Sequence, residues 1–222
     1  MRYLAIGDIH GCFDALKTLE EFVPIRADDV VVTLGDYVNR GPNSRAVLDW
    51  LIARKQTGKL RALRGNHEVM MLAAQDSDEV YREWLGFGGG ATLSSYAMPG
   101  HSGSFGEIPV THWQFLEETL PWFETESHIF VHAGVYPDSS LEEQPDFMLY
   151  WEPFEDRGAH ESGKTVVCGH SSQRSGRPLD VGHSVCIDTW ACGRGWLTCL
   201  DVVSRKYWQA NQRGETRSDS LE

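Results

Sequence analysis

The chain has 222 residues, of which 41% are hydrophobic and 23% charged, an ordinary globular composition that excludes intrinsic disorder and collagen-like structure. Its 20 Lys and Arg against 32 Asp and Glu give a formal net charge of −12, which argues against a protein that binds the phosphate backbone of nucleic acids. The length favours one large domain, and we predict a single domain over residues 1–212 followed by a polar tail over 213–222.

The sequence has no pattern typical of export or of membrane insertion. The first apolar stretch, Tyr3–Ile6, is too short for a signal peptide, and no apolar run approaches the roughly 18 residues of a membrane span. The five cysteines are odd in number and include no Cys-x-x-Cys pair, so neither a disulfide framework nor a thiolate zinc site is indicated. We therefore expect a soluble, cytoplasmic protein without a membrane or nucleic-acid-polymer partner.

The first seventy residues repeat one pattern three times: an apolar run, a glycine-rich polar turn and an amphipathic stretch. The apolar runs predict strands over Arg2–Gly7, Val30–Leu34 and Lys59–Leu63. Apolar residues at helical spacing predict a helix after each strand, the second of them capped by Asn43 or Ser44. This alternation predicts a parallel sheet with right-handed crossovers.

The remainder of the chain is less regular. We predict a helix around Trp84, a break at Gly88–Gly90, an exposed loop over 99–109 and a helix over Thr111–Leu120. Five short strands then follow without helices of any length, and the loop over 136–163 is long enough to flank a site. These strands are Ile129–Val131, Thr165–Cys168, Val185–Asp188, Trp196–Val202 and Tyr207–Gln209. The last ten residues are polar, and we expect them to be frayed.

Five clusters of polar residues each come directly after a predicted strand. They are Asp8–Gly11, Gly35–Gly41, Arg64–Glu68, His132–Gly134 and Gly169–His170. Ligands of open α/β sheets bind at the carboxyl ends of the strands. The sheet would therefore bring these clusters, which are far apart in sequence, to one edge.

The clusters contain oxygen and nitrogen donors without sulfur, namely Asp8, His10, Asp36, Asn66, His132 and His170. Carboxylates together with imidazoles suit manganese, iron, zinc or similar divalent ions. Six such ligands are too many for one catalytic ion with open positions and suit two ions that share a carboxylate. Each cluster alone has a simpler explanation, such as Asn66 capping a helix, but their joint occurrence at successive strand ends favours a two-metal site.

Taken together, the clusters resemble the signature of the phosphoprotein phosphatase family of calcineurin-like metallophosphoesterases, of the bacterial and bacteriophage lambda type. That signature reads Gly-Asp-x-His-Gly, Gly-Asp-x-x-Asp-Arg-Gly, Gly-Asn-His-Glu, His-Ala-Gly and Gly-His, and the resemblance covers nearly the whole chain. It implies an α/β fold of four layers, α-β-β-α, in which helices flank two mixed sheets.

The resemblance also implies how the six donors are divided. Asp8 and His10 would bind the first ion, Asp36 would bridge both ions, and the other three donors would complete the second. The cofactors would be two divalent ions, manganese first, with iron, zinc or magnesium as alternatives. A water held between two cations has its pKa lowered, so hydroxide is available near neutral pH for in-line attack on phosphorus.

Other residues of the motifs would act on the phosphate. The resemblance implies that Arg40 and Arg64, with Asn66, bind the phosphate oxygens and that His67 protonates the leaving oxygen as a general acid. The family commonly has Asp where this chain has Asn39. An amide can orient His67 but does not raise the imidazole pKa as a carboxylate would. We therefore expect the activity to favour good leaving groups, unless Asn39 is merely a tolerated turn residue.

A second departure from the pattern is Trp151. Bacterial relatives tend to have an Arg just before Glu-Pro-Phe, and this chain has Trp151 there, before Glu152–Phe154. Trp151 and Trp190 could form an aromatic wall that stacks a base or an aromatic leaving group on the substrate side. Ordinary packing is the alternative explanation for each of them.

Three functions therefore compete. The first is a phosphomonoester hydrolase of the serine/threonine protein phosphatase type, acting on a phosphorylated protein or a small phosphate ester. The second is a phosphoanhydride hydrolase of the symmetrical diadenosine tetraphosphatase type, acting on a dinucleotide polyphosphate; those enzymes also depart from Asp at the Asn39 position. The third is a non-catalytic protein that binds metal or phosphate, against which the complete set of metal ligands speaks.

Overall fold

The computed structural model describes residues 1–98 and 100–221. Pro99, in the loop predicted over 99–109, and Glu222, at the end of the predicted tail, lie outside the described residues. The first part of the chain alternates strands and helices as predicted, with Asn43 capping the second helix by accepting from the Ala46 N–H at 3.2 Å. It consists of β1 (Tyr3–Ile6), α1 (Phe13–Phe22), β2 (Val30–Thr33), α2 (Ser44–Gln56), β3 (Leu60–Ala62) and α3 (Asn66–Ala73).

The glycine-rich segment in the middle is helical on both sides of a kink. The order is α4 (Asp78–Trp84), a π-helical turn (Leu85–Gly89), α5 (Gly90–Tyr96), a 3-10 turn (Phe105–Glu107) and α6 (Val110–Glu117). Gly88 leaves the helical conformation with a φ of 96°, as the glycine run predicts, but α5 starts two residues later and was not predicted. The next glycine serves packing, because a Cβ on Gly89 would lie 2.4 Å from the Trp84 ring.

The second half contains more strands than the sequence indicates. The elements are β4 (Trp122–Glu124), β5 (His128–Val131), a 3-10 turn (Leu141–Glu143), α7 (Asp146–Tyr150), β6 (Thr165–Cys168), β7 (Leu179–Asp180), β8 (Ser184–Cys186), β9 (Leu197–Asp201), β10 (Lys206–Ala210) and β11 (Thr216–Ser220). The expectation of a frayed C-terminal end was wrong, because β11 pairs antiparallel with β10. Its five residues are all exposed, so main-chain hydrogen bonds hold this edge strand and leave no hydrophobic pattern in the sequence.

The strands form two mixed sheets. The first has the order β11-β10-β9-β1-β2-β3, in which β1, β2 and β3 are parallel and β9 to β11 antiparallel. The second has the order β4-β5-β6-β8-β7, with a parallel centre and an antiparallel strand at each edge. The predicted α/β class with two mixed sheets is thus confirmed.

The alternation of side chains along the strands sorts the core into layers. In β1, Ala5 packs between the two sheets, whereas Leu4 and Ile6 pack against the helices on the opposite face. Helices α1 to α6 contribute to that helical layer, and residues of α7 and of the long loop cover the outer face of the second sheet. The buried residues between the sheets are Ala5, Val32, Leu34, Leu63, Phe130, Val167, Val185, Ile187, Leu200, Val202 and Tyr207.

All five cysteines carry free thiols; four are buried, and Cys192 is partly exposed. Within residues 1–98 and 100–221, every helix is too short or too polar to cross a membrane.

Candidate metal centre

The predicted polar clusters meet where strands of both sheets end. Asp8 and His10 follow β1, Asp36 follows β2, and His132 and His170 follow β5 and β6 of the second sheet. The backbone here is unusual. Seven non-glycine residues of the described chain have φ in the left-handed region, and five belong to these clusters, namely His10, Asp36, Asn39, Arg40 and His170. Such strained backbone concentrates at functional sites.

Two glycines let the carboxylates approach. A Cβ on Gly65 would lie 2.2 Å from Asp36 Oδ1, and a Cβ on Gly169 would lie 2.1 Å from Asp8 Oδ1. Neither distance is possible for a real Cβ atom. Any larger residue at either position would therefore displace a carboxylate of the centre.

Asp36 lies at the middle of the donor set. Its Oδ2 is 3.3 Å from His10 Nε2, and its Oδ1 is 3.5 Å from His132 Nε2. The amide oxygen of Asn66 is 3.1 Å from the same nitrogen of His132. Each carboxylate oxygen thus faces a different group of donors, which is the arrangement that a carboxylate shared by two cations requires.

Two groups of three donors within the described residues could each hold a cation. One is His10, Asp36 and His67, and the other is Asp36, His132 and His170; the donor atoms in each group lie within 4.8 Å of one another. The first group includes His67, for which the family resemblance implies a proton donor rather than a ligand. Asp8 belongs to neither group of three; both of its oxygens accept from the His170 backbone N–H at 3.1 Å.

The imidazoles are already turned towards the centre. His10 Nδ1 donates to the Val38 carbonyl at 2.9 Å, and His132 Nδ1 donates to the Leu34 carbonyl at 2.8 Å. Both rings therefore present an unprotonated Nε2 to Asp36. Metal-binding histidines are commonly oriented in this way by a carbonyl on the other ring nitrogen, so the arrangement fits a metal centre.

The charges of the centre also favour bound cations. Burial, and then repulsion from Asp188 and Asp36, raises the pKa of the Asp8 carboxyl well above its usual value. Burial, and then repulsion from Glu68, does the same for the pKa of Asp36. Burial, followed by the positive charge of Arg40, lowers the pKa of His10 to about 3. Neutral imidazoles beside crowded buried carboxyls form a hard donor set whose charge two divalent ions would balance.

Two buried acids of the centre, Glu68 and Asp188, are not among the predicted site residues. The Glu68 carboxylate accepts from the backbone N–H groups of Asp36 (2.7 Å), Tyr37 (2.8 Å) and Gly65 (2.9 Å), which fixes the loop that carries Asp36. An acid at the third position of α3 is a helix-start signal that could have indicated this. Asp188 accepts from Ser172 Oγ at 2.6 Å. It also lies close enough to Asp8 for its negative charge to raise the pKa of the Asp8 carboxyl.

Asn39 and Arg40 lie at the edge of the centre. The Asn39 side-chain N–H donates to His67 Nδ1 at 2.7 Å, so the predicted contact between the two residues is present. His67 Nε2 is buried, lies 3.9 Å from Asp36 Oδ2 and makes no hydrogen bond within the described chain. The exposed Arg40 donates from Nη1 to His10 Nε2 at 2.9 Å, which puts a cationic group directly beside the donors.

Aromatic residues flank the centre. Phe87, on the π-helical turn, is 51% exposed, and its ring centroid is 6.4 Å from that of His67. Trp151 is 40% exposed, and its carbonyl accepts from His170 Nε2 at 3.0 Å. Trp190 instead packs against Arg174, whose guanidinium carbon is 5.4 Å from the ring centroid. Phe87 was not singled out from the sequence, because one aromatic among glycines carries no motif.

Arg64 is directed to the end of a helix and not to the donors. Its Nη2 donates to the Glu117 carbonyl at 2.7 Å, and its Nε donates to Thr119 Oγ1 at 3.0 Å. The Glu117 carbonyl is at the C-terminal end of α6, where carbonyls lack helical partners and favour a positive charge, and Thr119 follows that end by two residues. The structure thus brings the predicted metal ligands together but engages Arg64 in capping a helix.

We expect the substitution Arg64→Ala to lower the free energy of unfolding by about 1–2 kcal/mol, because charge-assisted hydrogen bonds to the end of α6 are lost. Urea denaturation followed by tryptophan fluorescence measures this change. The control is Arg26→Ala, which removes an exposed arginine from the turn between α1 and β2. An unchanged unfolding midpoint together with a raised KM would mean that Arg64 serves the phosphate and not the helix.

The comparisons with known proteins agree with this geometry. The chain is 31% identical over 209 residues to serine/threonine-protein phosphatase 1 of Salmonella typhimurium strain LT2, covering 89% of this chain and 90% of that protein. It is 30% identical over 141 residues to the symmetrical bis(5'-nucleosyl)-tetraphosphatase of Legionella pneumophila strain Lens, covering 60% of this chain and 44% of that protein. The chain therefore aligns with less than half of the tetraphosphatase.

A solved structure shares the fold. The crystal structure of a protein proposed to be a diadenosine tetraphosphatase superposes with a TM-score of 0.67 at 20% identity, covering 100% of this chain and 94% of that one. The sequence of residues 1–194 matches the family described as calcineurin-like phosphoesterase. With the fold, the clustered donors and this match in agreement, the chain belongs to the calcineurin-like phosphoesterase family and is a metallophosphoesterase, a hydrolase.

Proposed function

We propose that this protein is a phosphomonoester hydrolase with two divalent metal ions, acting on phosphorylated serine or threonine. The observation that carries the proposal is the position of Asp36, whose two oxygens face His10 at 3.3 Å and His132 at 3.5 Å. The Salmonella relative, named a serine/threonine-protein phosphatase, aligns along nine-tenths of its length and supports the substrate class.

Asp8 and His10 would hold one ion, Asn66, His132 and His170 the other, and Asp36 both. Two such ions supply Lewis acidity, which activates water and balances the charge of the phosphoryl group. We propose manganese as the native metal, with iron, zinc or magnesium as alternatives that the same donors accept.

The chain's own residues bind and orient the phosphate. Arg40 is exposed at the edge of the centre and would turn its guanidinium from His10 to the phosphate oxygens, where it forms charge-assisted hydrogen bonds. His67 presents Nε2 towards the centre and would face the leaving oxygen, held by Asn39 on its other nitrogen.

A substrate panel tests the proposal. The chain loaded with manganese is assayed on a phosphoserine peptide, a phosphotyrosine peptide, p-nitrophenyl phosphate and diadenosine tetraphosphate, with the chelator-treated chain as the blank. We expect the highest kcat/KM on the phosphoserine peptide. A higher kcat/KM on the phosphotyrosine peptide or on the dinucleotide would overturn the substrate class, and no turnover of any of the four substrates would overturn the enzymatic function.

A second candidate function is hydrolysis of a phosphoanhydride, as in the tetraphosphatases. Two observations favour it. Asn39 supplies no negative charge to His67, and a nucleotide leaving group needs less protonation than a serine alkoxide. Phe87 and Trp151 are exposed beside the centre, where they could stack a nucleobase.

The substitution Asn39→Asp should raise turnover most for substrates with poor leaving groups. Burial, followed by the neighbouring His10 and the positive charge of Arg40, lowers the pKa of His67, and a carboxylate at position 39 would raise it and populate the protonated acid. Asp also tolerates the φ of 70° found at Asn39. We expect turnover of an alkyl phosphate to rise about tenfold more than that of an aryl phosphate, within the usual range of general acid catalysis. Equal gains on both substrates would contradict this role of Asn39.

Phe87→Ala tests the stacking of an aromatic leaving group. We expect KM for diadenosine tetraphosphate to rise about threefold to tenfold, the range that one aromatic contact provides. The matched control is Phe22→Ala at the end of α1, which removes another exposed ring, 37% accessible. If both variants change KM alike, Phe87 has no part in binding the leaving group.

A further inference from the structure

The hydroxyl of Thr92 lies behind Asn39 and is fully buried. Its Oγ1 accepts from the Asn39 backbone N–H at 2.8 Å and donates to the Asn39 side-chain oxygen at 3.0 Å. The Ser44 hydroxyl lies 3.1 Å from the same atom. Thr92 therefore forms hydrogen bonds with both the main chain and the side chain of Asn39, the residue that contacts His67.

The hydrogens of this network can be assigned one by one. A threonine hydroxyl has one hydrogen and two lone pairs. When Thr92 donates to the Asn39 oxygen, it accepts from the Asn39 backbone and from Ser44, so all its capacity is used. The Asn39 oxygen is then satisfied, and the amide nitrogen, which can only donate, faces His67 Nδ1 at 2.7 Å. His67 Nδ1 must accept, so the neutral ring carries its hydrogen on Nε2.

The reverse orientation of the Asn39 amide is less well satisfied. It would turn the amide nitrogen towards Thr92 and oblige Thr92 to donate to Ser44. Within the described residues the Ser44 side chain meets only Thr92, so the hydrogen of this buried hydroxyl would then have no acceptor. A buried donor without an acceptor is costly. In the observed orientation the His67 Nε2–H also has no partner within the described residues. It faces the candidate metal centre, however, 3.9 Å from the Asp36 carboxylate, whereas the Ser44 hydroxyl meets only Thr92.

We propose that Thr92 is a positioning residue: its hydroxyl fixes the orientation of the Asn39 amide and thereby holds His67 in the tautomer that presents an N–H on Nε2 to the centre. The chemical importance of this tautomer rests on the proposed function, since His67 then meets the substrate as a neutral hydrogen-bond donor. The tautomer itself does not depend on any activity.

Long-range ¹H–¹⁵N correlation spectra of the metal-free chain, labelled at histidine nitrogens, measure the tautomer. The His67 signals are assigned by their loss in His67→Gln. We expect a single form of His67 in the native chain, protonated at Nε2 and unprotonated at Nδ1. A native chain with the hydrogen on Nδ1 would overturn the proposal, whether or not any variant folds.

Three variants separate positioning from simple structural support. In Thr92→Val nothing donates to the Asn39 oxygen, and we expect the share of the Nδ1–H form to rise at least about fivefold, the ratio that one ordinary hydrogen bond provides. Thr92→Ser should restore the native spectrum. Ser44→Ala, which also deletes a buried hydroxyl, should retain the Nε2–H form because Thr92 is left with Asn39 as its acceptor.

Asn39→Asp is the positive control, because a carboxylate accepts from both Thr92 and His67, so Nδ1 should carry a hydrogen whether the ring is neutral or protonated on both nitrogens. A Thr92→Val spectrum identical to the native one would overturn the proposal. If the chain cleaves no phosphate ester while His67 carries its hydrogen on Nε2, the proposed function fails and the positioning by Thr92 stands. If the native chain cleaves phosphate esters while His67 carries its hydrogen on Nδ1, the proposed function stands and the positioning by Thr92 fails.

Discussion

Asp36→Asn should reduce turnover of any phosphate ester by roughly a thousandfold. Replacing a residue that merely contacts metal ligands typically lowers metal affinity or activity about 10–100-fold. Replacing a carboxylate whose two oxygens face separate donor groups should lower activity further. The amide has one oxygen instead of two and no charge, so it cannot serve two cations. Steady-state kinetics with manganese, together with metal analysis of the dialysed protein, measures the effect. We expect bound manganese to fall from about two ions per chain to one or fewer.

The stability of the same variant tells whether its loss of activity is specific. The Asp36 side chain accepts from the His67 backbone N–H at 3.1 Å, which an Asn oxygen can replace. Because burial and Glu68 disfavour the charged form of Asp36, the metal-free variant should melt no lower than the metal-free native chain. Asp28→Asn, a change at an exposed site, is the control. Near-native turnover of Asp36→Asn would contradict the bridging role.

The affinity of the centre for manganese should weaken as the pH falls from 8 to 5, and carboxyls should cause the change. The pKa values of Asp8 and Asp36 are raised, so these groups keep protons to a higher pH and a cation must displace them. His10, with a pKa lowered to about 3, carries no competing proton in this range. The apparent Kd should therefore rise about tenfold per pH unit for each proton displaced.

Calorimetric titration with manganese in two buffers of different ionisation enthalpy counts the protons released. In the metal-free chain, a raised carboxyl pKa stabilises the fold at pH values below the ordinary carboxyl pKa, which is near 4. This contribution is lost as the pH rises through the folded-state pKa. Stabilisation by the metal should accordingly be greatest at neutral and alkaline pH. Asp8→Asn should release one proton fewer. The same number of protons released by Asp8→Asn and by the native chain would contradict the assignment to carboxyls.

The parts of the fold that could be predicted are those whose side chains are buried on a regular pattern. Strand β2 is buried on both faces and reads as a continuous run of Val30–Thr33, and the polar clusters after the strands follow from sheet geometry. Strand β11 could not be found in this way, because it is exposed on both faces and is held by its backbone alone. Helix α5 was missed because a glycine run is ambiguous: Gly88 turns the chain, but Gly89 makes room for Trp84.

The residues of the site likewise divide into those that the sequence predicts and those that it does not. The donors could be named because each follows a strand within a short motif, and they meet as expected. Arg64 is in such a motif too, yet its side chain reaches the end of α6, more than fifty positions along the chain. Thr92 belongs to a helix that was not predicted, so no sequence pattern connected it with Asn39. Contacts of this kind depend on how helices pack against the sheet, which residue spacing does not specify.

The donors of the centre come from both sheets: Asp8, His10 and Asp36 follow strands of the first, and His132 and His170 follow strands of the second. A cation bound between them would cross-link the two halves of the sandwich. Its binding free energy would then become folding free energy. A chain made in a cell starved of metal would open more often between its sheets and be degraded faster by proteases, so metal supply would set the abundance of this protein as well as its activity.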